Sequence, residues 1–255
     1  MDFLEVIKAF IQGIVQGITE WLPISSTGHL IIVDQLWPMK DPAFFEMFKV
    51  VIQFGSILAV CVLFFHKLNP FSPKKTADDK KQTFSLWGKV IIGILPAMVM
   101  GLLFDDLIES KLSMPYVISI TLIVYGILFI LMERKKRISS MDTLEQLNYK
   151  TAFLIGCFQV LALIPGTSRS GATILGGVLL GCSRYVASEF SFFLAVPVMF
   201  GASALKVLKF GFAFTFEQII VLLVGMSVSF FVSILAIRLL LGYIRKHDFK
   251  VFGYY

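Results

Sequence analysis

The sequence predicts an all-α polytopic membrane protein, and three observations lead to this fold class. Hydrophobic residues make up 57% of the 255 positions, whereas charged residues make up only 16%. Soluble domains carry roughly a quarter charged residues. Mean hydropathy is +0.83, and several apolar runs are long enough to cross a bilayer. We therefore expect one membrane domain over residues 1–255, with two re-entrant helical hairpins and about five to six transmembrane helices.

The charges and cysteines exclude several other classes. The formal net charge is +6, but the basic residues cluster beside apolar runs, as juxtamembrane charges do, so we expect no nucleic-acid partner. The three cysteines lie in apolar surroundings without metal-ligand spacing, and we interpret them as packing residues without disulfides. Because the N-terminus lacks a basic region and a small-residue cleavage site, we expect no cleaved signal peptide.

The first predicted element is a helical hairpin. Residues 3–22 form an apolar helix in which three polar side chains, spaced four residues apart, share one face: Gln12, Gln16 and Glu20. Pro23 ends this helix, residues 25–28 supply a turn, and an apolar helix resumes over residues 29–37. Neither arm is a clear span, so we expect the hairpin to enter the membrane and return to the same side.

Three transmembrane spans follow the first hairpin, at residues 45–65, 84–104 and 115–132, the second of them with a kink at Pro96. A lysine-rich loop at residues 67–81 and a basic cluster at residues 133–137 flank them. An acidic connection lies between the second and third spans: Asp105, Asp106 and Glu109. The positive-inside rule places the basic segments in the cytoplasm and the acidic connection outside. The first hairpin therefore enters from the outer side.

The second half begins with another hairpin, whose arms are residues 149–164 and 172–180 with Pro165 between them. Spans at residues 190–208 and 219–241 complete it. Lys150 and Arg184 flank the hairpin, which we expect to enter from the cytoplasmic side. Two lysines, Lys206 and Lys209, fall outside the cytoplasm in this arrangement, against the charge rule.

The two halves resemble each other, which predicts an internal repeat. Residues 13–16 match residues 156–159, and each segment is followed by a proline, by a serine three residues after it (Ser26, Ser168) and by a glycine (Gly28, Gly171). We place repeat one at about residues 1–132 and repeat two at about residues 149–255. An odd number of spans between the hairpins makes the repeats inverted. Such proteins place their functional site at the repeat interface, near the midplane.

The polar tips of the two hairpins predict a phosphate-binding site. Arg169 is costly at membrane depth and therefore functional, and its guanidinium suits bidentate binding of phosphate. We expect a helix to start at Ala172 and a matching one at His29, because helix N-termini attract anions. The other candidate phosphate-binding residues supply hydroxyls or backbone N–H groups: Ser25, Thr27, Gly28, Ser168, Ser170, Gly171 and Thr173.

The candidate catalytic residues are Glu20, Ser26, His29 and Arg169. A carboxylate beside phosphates needs a cation, so we expect Mg²⁺ or Ca²⁺ to be held by Glu20 and Gln16. Ser26 is a candidate nucleophile with either His29 or Glu20 as its base. His29 is also a candidate to attack phosphorus itself or to protonate the leaving group. The residues alone leave these roles open.

Structural roles are the alternative for each of these residues. Ser25, Thr27 and Ser170 suit turns and close helix packing. His29 suits helix capping, and both Glu20 and Arg169 suit a hydrogen-bonded structural role.

The motifs identify a family resemblance. Three motifs resemble the signatures of bacterial undecaprenyl pyrophosphate phosphatases of the bacitracin-resistance type. They are Gln16-x-x-x-Glu20, the Pro-x-Ser-Ser-Thr-Gly-His segment that ends at His29, and the Pro-Gly-x-Ser-Arg-Ser-Gly-x-Thr segment that ends at Thr173. The resemblance implies a multi-pass inner-membrane enzyme. Its implied reaction hydrolyses undecaprenyl diphosphate to undecaprenyl phosphate and inorganic phosphate, which recycles the lipid carrier for cell-wall synthesis and gives bacitracin resistance.

The same resemblance implies dependence on a divalent cation, a site open to the periplasmic side, and functional roles for Glu20, Ser26, His29 and Arg169. The sequence departs from the family pattern in two places. Position 16 is glutamine where many members have glutamate. Members also carry one more hydrophobic span after the region that matches residues 252–255, so we expect repeat two to lack its last helix. Whether the protein forms a homodimer stays open for that reason.

The main rival hypothesis is a transporter or flippase for a polyprenyl phosphate, because inverted repeats with broken helices are transporter architecture. Phosphate release from a lipid diphosphate separates the two hypotheses. For the enzyme, we expect Arg169→Ala to lose nearly all activity and Lys67→Ala to keep it.

Overall fold

The computed structural model describes residues 2–112, 114–134 and 138–255, which contain helices and no β-strand. The helices, in chain order, are α1 (Phe3–Thr19), α2 (Ser26–Leu36), α3 (Pro42–Val51), α4 (Gln53–Leu63), α5 (Phe65–Leu68), α6 (Ala77–Leu112), α7 (Pro115–Arg134), α8 (Tyr149–Val160), α9 (Arg169–Leu179), α10 (Arg184–Phe210), α11 (Phe216–Ile244) and α12 (Lys250–Tyr254). A short 3₁₀ turn, Leu161–Leu163, extends α8.

Within these ranges, five helical segments are long and apolar enough to cross a membrane: Pro42–Leu63, Ala77–Phe104, Tyr116–Arg134, Arg184–Phe210 and Phe216–Ile244. The chain is therefore an all-α, multi-pass membrane protein, as the composition predicts. Both helical hairpins are present, as α1 with α2 and as α8 with α9. Their re-entry into the membrane stays a prediction, as does the inverted orientation of the two repeats.

Three details differ from the prediction. The span at residues 45–65 is divided at Ile52 into α3 and α4. The acidic connection after the second span begins as helix, because α6 continues to Leu112 where neither glycine nor proline interrupts residues 102–114. The second arms of both hairpins begin three residues earlier than expected, because Ser25 and Ser168 cap them. Positions 135–137 of the basic cluster lie outside the described residues.

Small residues let the first arm of each hairpin pack closely against a long helix. A Cβ atom added at Gly13 in α1 would lie 2.7 Å from the Gly225 carbonyl oxygen in α11. A Cβ atom at Gly156 in α8 would lie 2.1 Å from the Gly93 carbonyl oxygen in α6. Such contacts allow no side chain, which is the usual way that membrane helices approach one another. The pairs α1–α11 and α6–α8 thus hold the two hairpins in place.

The three cysteines are free. The packing interpretation is confirmed for Cys182, which is buried, and burial raises the pKa of its thiol to about 11, so that it stays protonated at neutral pH. It is wrong for Cys157, whose side chain is exposed on α8.

Candidate active site

Each hairpin tip ends in a serine-capped half-helix. The Ser25 hydroxyl accepts a hydrogen bond from the Gly28 N–H at 3.4 Å, and the Ser168 hydroxyl accepts one from the Gly171 N–H at 3.1 Å. Ser25 holds a φ of 66°, the left-handed region that a residue with a side chain rarely adopts. Non-glycine residues in this conformation cost about 1–3 kcal/mol and cluster at functional sites.

The two tips contact each other directly. The Ser170 hydroxyl lies 3.2 Å from the carbonyl oxygen of Glu20 and 3.1 Å from that of Leu22. An Nη2 atom of Arg169 donates to Glu20 Oε1 at 3.2 Å, so that an ion pair joins the second tip to the first. Residues about 150 positions apart in the chain therefore form one polar site.

Glu20 is the centre of this polar site. Its Oε2 atom accepts hydrogen bonds from the Ser26 hydroxyl at 2.6 Å and from the Gln16 side-chain amide at 2.9 Å. Together with Arg169 on Oε1, three donors surround a carboxylate that is only 6% exposed. These contacts hold the carboxylate against the Ser26 hydroxyl, which suits it to accept the proton of that hydroxyl.

Arg169 is fixed by contacts on several sides. Its Nη1 atom donates to the Ser191 carbonyl oxygen at 2.8 Å, and its guanidinium carbon lies 6.0 Å from the centre of the Trp21 ring. Its Nε atom is buried and has no partner among the described residues. Arg169 is thus held in position by two of its five N–H groups, and the Nε–H is among the donors that remain for a ligand.

A cavity of about 750 Å³ lies at the junction of the two tips. Its polar side carries predicted site residues: Glu20, Ser25, Ser26, Thr27, Ser168 and Arg169. Its other side is an apolar wall built from α6 and α10, with Ile94, Ala97, Met98, Pro197, Val198 and Leu205. Met98 is 46% exposed and Leu205 is 42% exposed, so this wall continues onto the outer surface of two spans. The cavity suits a ligand with an anionic head and a long apolar tail.

His29 does not line this cavity. Its Nδ1 atom lies 2.7 Å from the Ser25 carbonyl oxygen, so the ring N–H supports the strained turn before Ser26. Its Nε2 atom lies 3.0 Å from the Tyr255 hydroxyl, and the two rings stack with their centres 5.8 Å apart. In this structure the imidazole makes no hydrogen bond to Ser26.

Several other predicted phosphate-binding residues also lie behind the cavity surface: Gly28, Ser170, Gly171 and Thr173. Thr173 bonds to Ser191 of α10 at 2.7 Å and to the Arg169 carbonyl oxygen at 2.9 Å. Ser170 joins the two tips. These side chains support Arg169 and the capped helix starts, while their predicted contact with phosphate stays a prediction.

Four polar cavity residues were absent from the predicted site: Gln53, Gln159, Thr167 and Lys209. Two of them carried a sequence signal. Gln159 is the repeat counterpart of Gln16, and Lys209 violates the charge rule. Thr167 lies within the second motif at a position that the motif leaves free. No pattern in the sequence singles out Gln53.

The fit of a divalent cation depends on Glu20 and Gln16. Among the described residues, no group of three or more His, Cys, Asp or Glu side chains could hold a metal ion. The Oε1 atom of Gln16 is buried and has no partner in the described part of the chain, and its own amide group contacts the neighbouring carboxylate of Glu20. One carboxylate and one amide oxygen fit a Mg²⁺ ion that takes its remaining ligands from substrate phosphates and water.

Lys67 lies in a different place, at a second cavity of about 640 Å³ that contains none of the predicted site residues. Its ammonium group bonds at 2.5 Å to Glu189, whose side chain is 2% exposed. Removing one partner of a buried ion pair leaves an uncompensated charge. Lys67→Ala is therefore a poor neutral control, and the exposed Arg134 at the end of α7 is a better one.

Comparison with known proteins places these features in context. Residues 9–255 match the family described as bacitracin resistance protein BacA. An undecaprenyl-diphosphatase of Acetivibrio thermocellus is 59% identical over 99% of this chain and 94% of its own length. One of Enterococcus faecalis is 56% identical over 100% and 94%. Undecaprenyl-diphosphatase 1 of Clostridioides difficile is 57% identical over 100% and 93%.

Proposed function

The chain belongs to the bacitracin resistance protein BacA family, and from this membership we infer that it is an undecaprenyl-diphosphatase. It hydrolyses undecaprenyl diphosphate to undecaprenyl phosphate and inorganic phosphate. The observation in the structure that supports this activity best is the hydrogen bond of 2.6 Å between the Ser26 hydroxyl and Glu20, in a cavity that also holds Arg169. A hydroxyl, a base and a cation at one point are what phosphoryl transfer needs.

The cavity matches the two parts of the substrate. Its polar end would take the diphosphate, where the α9 N-terminus and the Arg169 guanidinium favour negative charge. The apolar wall between α6 and α10 would take the first isoprene units, and its exposed continuation lets the rest of the tail stay in lipid. A water-soluble diphosphate would gain nothing from this wall.

We propose that Ser26 is the nucleophile and Glu20 its general base. The Ser26 oxygen attacks the terminal phosphorus while its proton passes to Glu20, and the bond from that phosphorus to the bridging oxygen breaks. Undecaprenyl phosphate leaves and a phosphoserine remains. Water then attacks the phosphoserine, inorganic phosphate leaves, and the proton on Glu20 returns to Ser26. Arg169 binds the phosphoryl oxygens as charge develops on them.

In the same proposal His29 positions the turn that carries Ser26 and does not accept the proton of the Ser26 hydroxyl. Its ring N–H holds the Ser25 carbonyl, which fixes the turn that aims Ser26 at Glu20. A divalent cation, Mg²⁺ or Ca²⁺, would be held by Glu20 and the free Gln16 oxygen. When bound, it would offset the repulsion between the carboxylate and the phosphates.

We further propose that the protein lies in the bacterial inner membrane with this cavity open to the outer side. Support comes from the lysine-rich segment at residues 67–81, which the positive-inside rule places in the cytoplasm. The homodimer that the resemblance leaves open stays a prediction.

Phosphate release by the purified protein in detergent tests the proposed function. We expect release from undecaprenyl diphosphate that EDTA abolishes and that added Mg²⁺ or Ca²⁺ restores. Release that EDTA does not change would contradict the cation. A folded protein that binds the lipid and releases no phosphate would contradict the enzyme and favour the flippase.

A further inference from the structure

Gln159 is a buried polar side chain whose amide is unused. It lies in the last turn of α8, lines the cavity, and is only 2% exposed. Within the described part of the chain, neither its Nε2 atom nor its Oε1 atom has a hydrogen-bond partner. Native proteins seldom leave a buried amide without hydrogen bonds, so the two unpaired atoms of the Gln159 amide need a physical explanation.

Further unused donors lie in the same cavity. The Thr167 hydroxyl is buried without a partner among the described residues, and so is the Arg169 Nε atom. A side-chain amide, a hydroxyl and a guanidinium N–H are all hydrogen-bond donors. An oxyanion can accept a hydrogen bond from each of these groups, whereas an apolar ligand can accept from none of them.

The position of Gln159 indicates which part of the substrate it would meet. The chain just after it contributes Ala162 and Leu163 to the cavity lining. One turn before it, Gly156 fixes α8 against α6, the helix that supplies much of the apolar wall. Gln159 therefore lies where the polar end of the cavity adjoins the apolar wall.

We propose that Gln159 and Thr167 form a binding subsite for the phosphate that is linked to the prenyl chain. The inference rests on the proposed function. The terminal phosphate must lie at Ser26 for attack, so the second phosphate extends from it toward the apolar wall. The same subsite then holds undecaprenyl phosphate after the bond breaks, while inorganic phosphate stays near Ser26 and Arg169.

The test compares two products as inhibitors of a Gln159→Met variant, which keeps the size of the side chain and removes its hydrogen bonds. We expect the KM for undecaprenyl diphosphate and the inhibition constant for undecaprenyl phosphate to rise about 10-fold, the effect of losing a hydrogen bond to a charged group. Inhibition by inorganic phosphate should change by less than about 2-fold. Thr167→Val should shift the same two constants about 3-fold.

Gln12→Met is the matched control. Gln12 is buried to 1% exposure in α1 and also has one amide atom without a described partner, but it does not line the cavity. Its variant should leave all three constants within about 2-fold. Equal weakening of both inhibitors by Gln159→Met, or no weakening of either in active enzyme, would overturn the subsite. Wild-type protein that releases no phosphate would instead contradict the proposed function.

Discussion

The two hairpin tips share a backbone design and differ in the residue that follows the cap. In each, a serine hydroxyl accepts from a glycine N–H three residues later, Ser25 from Gly28 and Ser168 from Gly171. The first helical residue is then Ser26 in one tip and Arg169 in the other, and both bond to Glu20. Equivalent positions thus carry the proposed nucleophile in one half and a cation in the other.

The turns that lead into these caps also differ. Pro23 lies two residues before Ser25, whereas Pro165 lies three residues before Ser168. The first tip places the strained φ of 66° on Ser25 itself, and the second places a φ of 88° on Gly166. The second tip therefore avoids strain with a glycine, and the first keeps strain next to the proposed nucleophile.

The largest expected effect separates two serines that look alike in the sequence. Ser26→Ala should lower phosphate release at least about 1,000-fold, because it removes the proposed nucleophile. Ser168→Ala should cost about 1 kcal/mol of stability through loss of a helix cap, and its activity should fall less than about 10-fold. Steady-state kinetics and thermal unfolding in detergent measure both. Similar kinetic losses in the two variants would contradict the division of roles between the tips.

Arg169 should show the next largest effect. Arg169→Ala should lower kcat/KM by about 1,000-fold, and Arg169→Lys by about 100-fold, because an ammonium group cannot contact Glu20, Ser191 and a phosphate through one planar fork. Arg134→Ala makes the same change at an exposed position in the last turn of α7 and should keep wild-type activity. Full activity in Arg169→Lys would show that only the charge matters.

The sequence predicted the residues that meet and not the contacts that they make. Both hairpins were predicted from Gly13, Gly156 and the two prolines, because the effects of glycine and proline on the backbone are local. The proline spacing, however, pairs Ser26 with Ser168, whereas the caps pair Ser25 with Ser168. One residue of turn length decides this pairing, and the equal spacing of the repeat glycines, Gly13 to Gly28 and Gly156 to Gly171, agrees with the caps and not with the prolines.

The sequence also did not predict the direction in which the side chains of the site point. His29 belongs to a motif with Ser26, yet its ring bonds to Ser25 and Tyr255. Gln159 is the repeat counterpart of Gln16, but only the structure shows that it lines the cavity. The direction of a side chain depends on how helices that are distant in the chain pack around it, here α6 against α8. A local sequence pattern does not predict that packing.

Gly166, in the turn before the helix of the second tip, should matter more for the stability of the protein than for its activity. A Cβ atom at Gly166 would lie 2.3 Å from the Thr121 hydroxyl oxygen and 2.6 Å from the Ile118 Cα atom. Gly166→Ala adds this clash to the strain of a positive φ, and we expect a loss of about 3 kcal/mol or more. Gly211 has a φ of 96° and open space around it, so Gly211→Ala should lose only about 1 kcal/mol. Equal unfolding temperatures for the two variants would contradict the crowding at Ile118.

The smallest effect tests whether the first tip needs an imidazole or only a hydrogen-bond donor. An asparagine amide can occupy the place of the His29 Nδ1–H and donate to the Ser25 carbonyl oxygen. We therefore expect His29→Asn to stay within about 3-fold of wild-type kcat and His29→Ala to fall about 10-fold, since only the alanine variant releases the strained turn. The pH profile of kcat should keep its shape in His29→Asn, because the base in this proposal is Glu20. Losses near 1,000-fold in both variants would move the proton transfer to the imidazole, and the first tip would then carry both the nucleophile and its base while the second carries the cation Arg169.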